Sequence, residues 1–201
     1  MQVRKRDGTL EDLNIDKLHK VVMYACEGIA GVSASQVEIN SKIQFFDKID
    51  TEDIQETLIK SAADLISEEA PNYQYVAGRL INYHLRKMVY GQFEPPCLCD
   101  IVQENIDAGF YDPEFTDLYT KDEINQLQSY IDHERDEVLT YAAMEQFRGK
   151  YLVQNRATGQ IYETPQVAYM MIAATLFAKY PEDTRMSYIK AYYDAISLFK
   201  L

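Results

Sequence analysis

The sequence predicts a mainly α-helical protein: a β-hairpin over a four-helix bundle, then a helical segment with a second short β-hairpin. Three observations carry that reading. Apolar residues recur at the i, i+3, i+4 spacing of amphipathic helices through most of the 201 residues. Asp7-Gly8 and the run Asn155-Arg156-Ala157-Thr158-Gly159 each stand between two short extended stretches. Pro95-Pro96 interrupts the helical pattern after Gly91-Gln92-Phe93-Glu94, which divides the chain into residues 1–92 and 93–201.

Taken in order, residues 2–6 and 9–13 flank Asp7-Gly8, a pair that favours a two-residue hairpin turn. Asn14 stands at the N-cap position of a first helix, Ile15 to Glu27, with Leu18, Val21, Val22 and Ala25 on one face. A second helix starts near Ser33 or Ser35 and runs to about Phe46. Thr51 reads as the N-cap of a third, whose first turn holds Glu52 and Asp53, where the helix dipole favours acids. Ile54, Leu58, Ala62 and Leu65 form its stripe, and Pro71 ends it. The fourth runs from about Asn72 to Tyr90, with Val76, Leu80, Tyr83 and Lys87 on one seam. Helices are then expected at 97–109, 121–131, 133–148, 166–180 and 182–199. Between them Tyr151 to Gln154 and Gln160 to Glu163 form the second hairpin.

Composition narrows the function. The chain is 47% hydrophobic and 26% charged with few Gly and Pro, as expected of a globular protein. No apolar run approaches the roughly 20 residues of a membrane span, and Met-Gln-Val-Arg-Lys-Arg lacks the apolar core of a secretory signal. Cys26, Cys97 and Cys99 cannot build a disulfide framework, which points to a reducing, cytoplasmic location. The net charge of −12 argues against a general nucleic-acid binder. That charge is uneven: residues 1–92 hold 11 Lys and Arg against 14 Asp and Glu, and residues 93–201 hold 9 against 18.

No catalytic constellation emerges. Cys97-x-Cys99 lacks the spacing and the second ligand pair of a zinc site, so no metal is expected there. Asp132-His133-Glu134-Arg135-Asp136 reads as a helix-start cap with surface ion pairs, because consecutive helical residues point in different directions. The cations at the start of the chain are more informative. Lys5 or Arg6 on the hairpin, Lys17 in the first turn of helix one and Lys87 at the end of helix four suit a polyphosphate. A helix N-terminus adds orphan N–H groups. Glu11 and Asn14 add directional polar groups for a sugar hydroxyl or a base edge.

These residues resemble a known pattern. Val3-x-Lys5-Arg6-Asp7-Gly8-x-x-Glu11-x-x-Asn14-x-x-Lys17-Leu18 is similar to the opening of the ATP-cone, a regulatory nucleotide-binding domain. Thr51-x-Asp53-Ile54 and Tyr73-Gln74-Tyr75-Val76-Ala77-x-Arg79-Leu80 continue the likeness. Residues 93–201 resemble the segment that succeeds the cone in the large subunit of class I ribonucleotide reductase. They do so through Tyr90 to Pro96, Asp132 to Asp136, Lys150 to Arg156 and Thr158 to Glu163.

The resemblance implies an allosteric site for ATP or dATP, with Mg²⁺, lined by Lys5, the segment Glu11 to Lys17 with Asn14, Thr51 and Lys87, and by Arg6 and Leu18. Gln55 stands where many dATP-inhibited members carry histidine, so it is the candidate for ATP/dATP discrimination. The chain ends about where the family's catalytic barrel begins, so the resemblance implies a regulatory part that is not catalytic alone. Its expected partners are the barrel-bearing remainder of the subunit and the radical-generating small subunit. A helical adaptor with no nucleotide ligand is the alternative reading.

Overall fold

The computed structural model describes residues 1–42 and 45–200, and it is mainly helical with a small sheet. The chain forms two compact units. The first comprises residues 1–85 and 137–146, the second residues 86–136 and 147–201. Among the described residues no helix is long and apolar enough to cross a membrane.

In the first unit, β1 (Gln2–Arg4) pairs antiparallel with β2 (Leu10–Asp12), Val3 opposite Glu11. The hairpin forms, but its loop has three residues rather than two. Gly8 N–H bonds the Lys5 carbonyl and Lys5 N–H bonds the Thr9 carbonyl, which closes a turn over Arg6-Asp7-Gly8. Gly8, at φ +83°, takes the left-handed position that such a loop needs. The Asp7 carboxylate accepts from the Thr9 N–H at 2.9 Å and from its hydroxyl, pinning the tip. A strand that the sequence did not suggest, β3 (Ile49–Asp50), pairs parallel to β1, Val3 with Ile49 and Arg4 with Asp50. Two residues are too few to show an alternating pattern, and tertiary pairing supplies the strand.

Four helices build the rest of this unit's first 85 residues. Asn14 caps α1 (Ile15–Cys26) by accepting from Lys17 N–H, and Val21, Val22 and Ala25 are buried. The second helix, α2 (Ala34–Lys42), is shorter than expected. Its anticipated continuation over residues 43–44 lies outside the described residues, and Phe46 is non-helical and exposed. Asp50 rather than Thr51 occupies the N-cap position of α3 (Thr51–Ala63), and its side chain makes no capping bond. Thr51 is already helical because the chain leaves β3 only at Asp50. Along α4 (Tyr73–Tyr90), Val76, Ala77, Leu80 and Ile81 are fully buried. A Cβ on Gly78 would sit 2.1 Å from the Leu139 carbonyl oxygen, so only glycine permits that backbone approach.

That approach explains why residues 137–146 join the first unit. Arg79 Nε donates to the Glu137 carbonyl at 3.2 Å, and Tyr24 donates to the Glu137 carboxylate. The single helix expected over 133–148 is therefore broken. A 3₁₀ turn covers His133–Val138, the chain crosses Gly78 at Leu139, and a short helix (Tyr141–Gln146) resumes before a π turn at Phe147–Tyr151.

The second unit is built on α5 (Leu98–Asp107), the short α6 (Glu114–Leu118), α7 (Lys121–Tyr130) and, beyond the helix at Tyr141–Gln146, which is α8, α9 (Pro165–Phe177) and α10 (Glu182–Ser197). Thr120 and Glu123 close a reciprocal capping box on α7. Leu98, Leu127, Val167, Met170, Ile189 and Tyr193 lie in its core. The anticipated second hairpin is reduced to one bridge, Gln154 with Ile161. Asn155 holds its turn by accepting from Ala157 and Thr158 N–H.

Candidate functional site

The sheet order brings three parts of the expected site together in the first unit. Because Arg4 is in register with Asp50, the start of α3 lies directly beside the end of β1, where Lys5 and Arg6 leave the strand. Arg4 pairs with Asp50 at 3.5 Å and Arg6 Nε with Glu52 at 3.0 Å, so the hairpin is tied to the α3 N-terminus by exposed ion pairs. Lys5 Nζ lies 2.8 Å from Glu11 Oε2 across the hairpin. The Glu11 hydrogen bond and charge hold the Lys5 ammonium above its usual pKa, so it is cationic at neutral pH.

Asn14 and Lys17 lie at the start of α1, immediately after β2. The Asn14 side chain is used by the helix cap, while the Lys17 side chain is exposed. Leu18, one turn along, lines a cavity of about 170 Å³ together with Met1, Leu13, Ile15, Phe45 and Leu58. His19 and Glu38, 2.6 Å apart, border it. Sequence reasoning named Leu18 but not its apolar companions. The available signal was Ile15, an apolar residue 58% exposed beside a polar cap.

Thr51 is the first residue of α3, an N-terminus that Asp50 leaves uncapped. Gln55 lies one turn later, and its Oε1 is buried with no hydrogen-bond partner. Orphan N–H groups and an unpaired amide oxygen favour a polar ligand. Lys87 lies on the last turn of α4, in the second unit, half-buried.

The Asp132–Asp136 cluster differs from the surface-pair reading. Asp132 does cap the turn and pair with Arg135 at 3.3 Å. Asp136, however, is fully buried. It accepts from Gln166 Nε2 at 2.8 Å and faces Arg86 at 3.8 Å, while Gln166 accepts from Tyr193. Burial pushes the Asp136 carboxyl up to about 7, against the pull of Gln166 and Arg86. Burial and Arg86 push His133 down to about 4. His133 to Val138 fold into a 3₁₀ turn rather than an exposed helix start, which turns Asp136 inward while Asp132 and Glu134 stay exposed.

Comparison with known proteins finds matches to two parts of the chain. Residues 1–88 match the model of the ATP cone domain, and residues 137–201 match that of the ribonucleotide reductase all-alpha domain. The chain is 54% identical over 199 residues to the ribonucleoside-diphosphate reductase 1 subunit alpha of Escherichia coli, covering 99% of this chain. It is 42% identical over 197 residues to the subunit alpha of Enterobacteria phage T4, and 33% identical over 198 residues to that of Helicobacter pylori, covering 98% of this chain in both cases. The chain spans about a quarter of the length of these relatives, 26% for the first two and 24% for the third.

Proposed function

We propose, for a chain that carries an ATP cone domain at residues 1–88 and a ribonucleotide reductase all-alpha domain at residues 137–201, that it is the allosteric part of a reductase large subunit. In this reading it binds ATP or dATP, with Mg²⁺, and regulates reduction of ribonucleotides to deoxyribonucleotides for DNA synthesis in the cytoplasm. The observation that supports this best is the pairing of β1 with β3, which seats the uncapped N-terminus of α3 beside the cationic hairpin.

Lys5, Arg6 and Lys17 then balance phosphate charge, and Thr51 donates from the start of α3. The Lys5–Glu11 and Arg6–Glu52 pairs are exposed and exchangeable, so phosphate can take the cations while Glu11 turns to the nucleoside. Asn14 and the cavity beside Leu18 complete the nucleoside contacts. Gln55, with its unpaired oxygen, reads the difference between ribose and deoxyribose. The barrel-bearing remainder of the subunit and the radical-generating small subunit are its partners.

Calorimetric titration with ATP and with dATP in the presence of Mg²⁺ tests the reading. Saturable heat with at least one of them is expected. A chain that gives none with either is a helical adaptor instead.

A further inference from the structure

The start of α5 gathers metal-ligating atoms far along the chain from the cone's motifs. Cys97 Sγ, Cys99 Sγ and an Asp100 carboxylate oxygen all lie within 4.8 Å of one another. Spacing alone argues against a metal here, since the usual knuckle separates its cysteines by at least two residues. The local backbone offsets that objection. Cys97 is the N-cap of α5, extended at φ −65°, ψ 148°, and its sulfur accepts from the Asp100 N–H at 3.4 Å. Leu98, between the two cysteines, is 1% exposed, and its N–H is held by Gln128 Oε1 at 2.9 Å. This anchored residue leaves the flanking sulfurs half-buried and within reach of one ion, with Cys99 Sγ 3.7 Å from Asp100 Oδ1.

We propose that Cys97, Cys99 and Asp100 form a site for one thiophilic d¹⁰ cation, Zn²⁺ or Cd²⁺, with a fourth coordination position open to solvent. Two sulfurs and one oxygen are the donor set of such ions, and tetrahedral bonds of roughly 2.3 Å to sulfur and 2.1 Å to oxygen require only a small inward movement. The Asp100 N–H already aimed at Cys97 is the kind of outer hydrogen bond that steadies a metal-bound thiolate. A metal bonds the thiolate rather than the thiol, so the ion must displace a proton from each cysteine. A cation that bonds sulfur strongly does this, whereas Mg²⁺ and Ca²⁺ prefer oxygen ligands. Each thiol releases its proton to solvent as its metal–sulfur bond forms.

The test titrates the reduced 201-residue chain with Cd²⁺ and follows the ultraviolet thiolate-to-metal charge-transfer band. One Cd²⁺ per chain is expected, displaceable by Zn²⁺ but not by Mg²⁺. Cys97→Ser and Cys99→Ser should each raise the Kd more than about tenfold, since losing even an outer-shell partner costs roughly 10–100-fold. The double variant should lose the band and Cys26→Ser should keep it. Serine is itself a good N-cap, and far-ultraviolet circular dichroism checks that the variants fold. No band at saturating Cd²⁺, a band that survives in the double variant, or one lost with Cys26→Ser overturns the assignment.

Discussion

In the unit of residues 1–85 and 137–146, the hairpin cations meet their acids at the surface: Lys5 with Glu11, Arg6 with Glu52, Arg4 with Asp50. In the unit of residues 86–136 and 147–201, Arg86 and Asp136 are 6% and 0% exposed, and the hydrogen bonds around them run through Gln166 and Tyr193. Arg185 there is also buried and holds Glu123 at 2.5 Å while lying over the Tyr119 ring. Solvent screens the first kind of pair, so it contributes little to stability and its cation can be exchanged for a ligand. The second kind cannot be exchanged without stranding a desolvated charge. The contrast therefore separates charges that can serve binding from charges that hold a fold.

The largest expected effect breaks the buried side of this contrast. Asp136→Ala leaves Arg86 and Gln166 without their carboxylate and should lower the unfolding free energy by about 3–5 kcal/mol. Denaturant titration of both proteins measures it, and a loss below about 1 kcal/mol would place Asp136 with the exchangeable pairs.

A pH experiment sharpens the same side. His133 is held near 4 in the fold against its usual 6.5, so the unfolded chain binds more protons between those values. Its contribution to stability is lost below that window and grows as pH rises through it. Asp136 acts in the opposite sense. Its carboxyl is raised from 3.8 to about 7, so its contribution falls as pH rises through that range and masks His133 in the wild type. The stability of the wild type minus that of His133→Gln should therefore increase from about pH 4 to about pH 6.5 and level off above. A difference that stays flat across that window would mean that His133 titrates as an exposed histidine does.

The smallest expected effect on stability belongs to the exposed side. Lys5→Ala removes an ion pair that solvent already screens, so the thermal midpoint should not move. In calorimetry the same variant should weaken nucleotide binding by about tenfold, the order of one charge-assisted hydrogen bond. A drop in the midpoint with unchanged affinity would reverse the comparison.

Much of the architecture was legible because it is local. Asn14 announced α1, and the stripe Ile54, Leu58 and Ala62 announced α3. Asp7-Gly8 announced the hairpin, although the loop type depended on how Lys5 bonds Thr9 across it. In the candidate site, Lys5, Glu11, Asn14 and Lys17 stood out as polar residues around a turn and a helix start, whereas Thr51 read as a helix cap and joined the site only through the family resemblance. Ile15, Leu13 and Phe45 did not stand out, because an apolar residue lining a cavity looks the same in sequence as one filling a core.

The sequence by itself determined the helical class, the positions of most helices and the kinds of side chain at the start of the chain. Those follow from periodicity, capping and turn chemistry within a few residues. Only the tertiary structure decided that Ile49–Asp50 becomes a strand, that residues 137–146 pack on Gly78, and that Asp136 is buried rather than exposed. Each of these depends on groups distant in sequence meeting in space. A two-residue strand, a missing Cβ and a carboxylate acquire their roles from the partner that arrives.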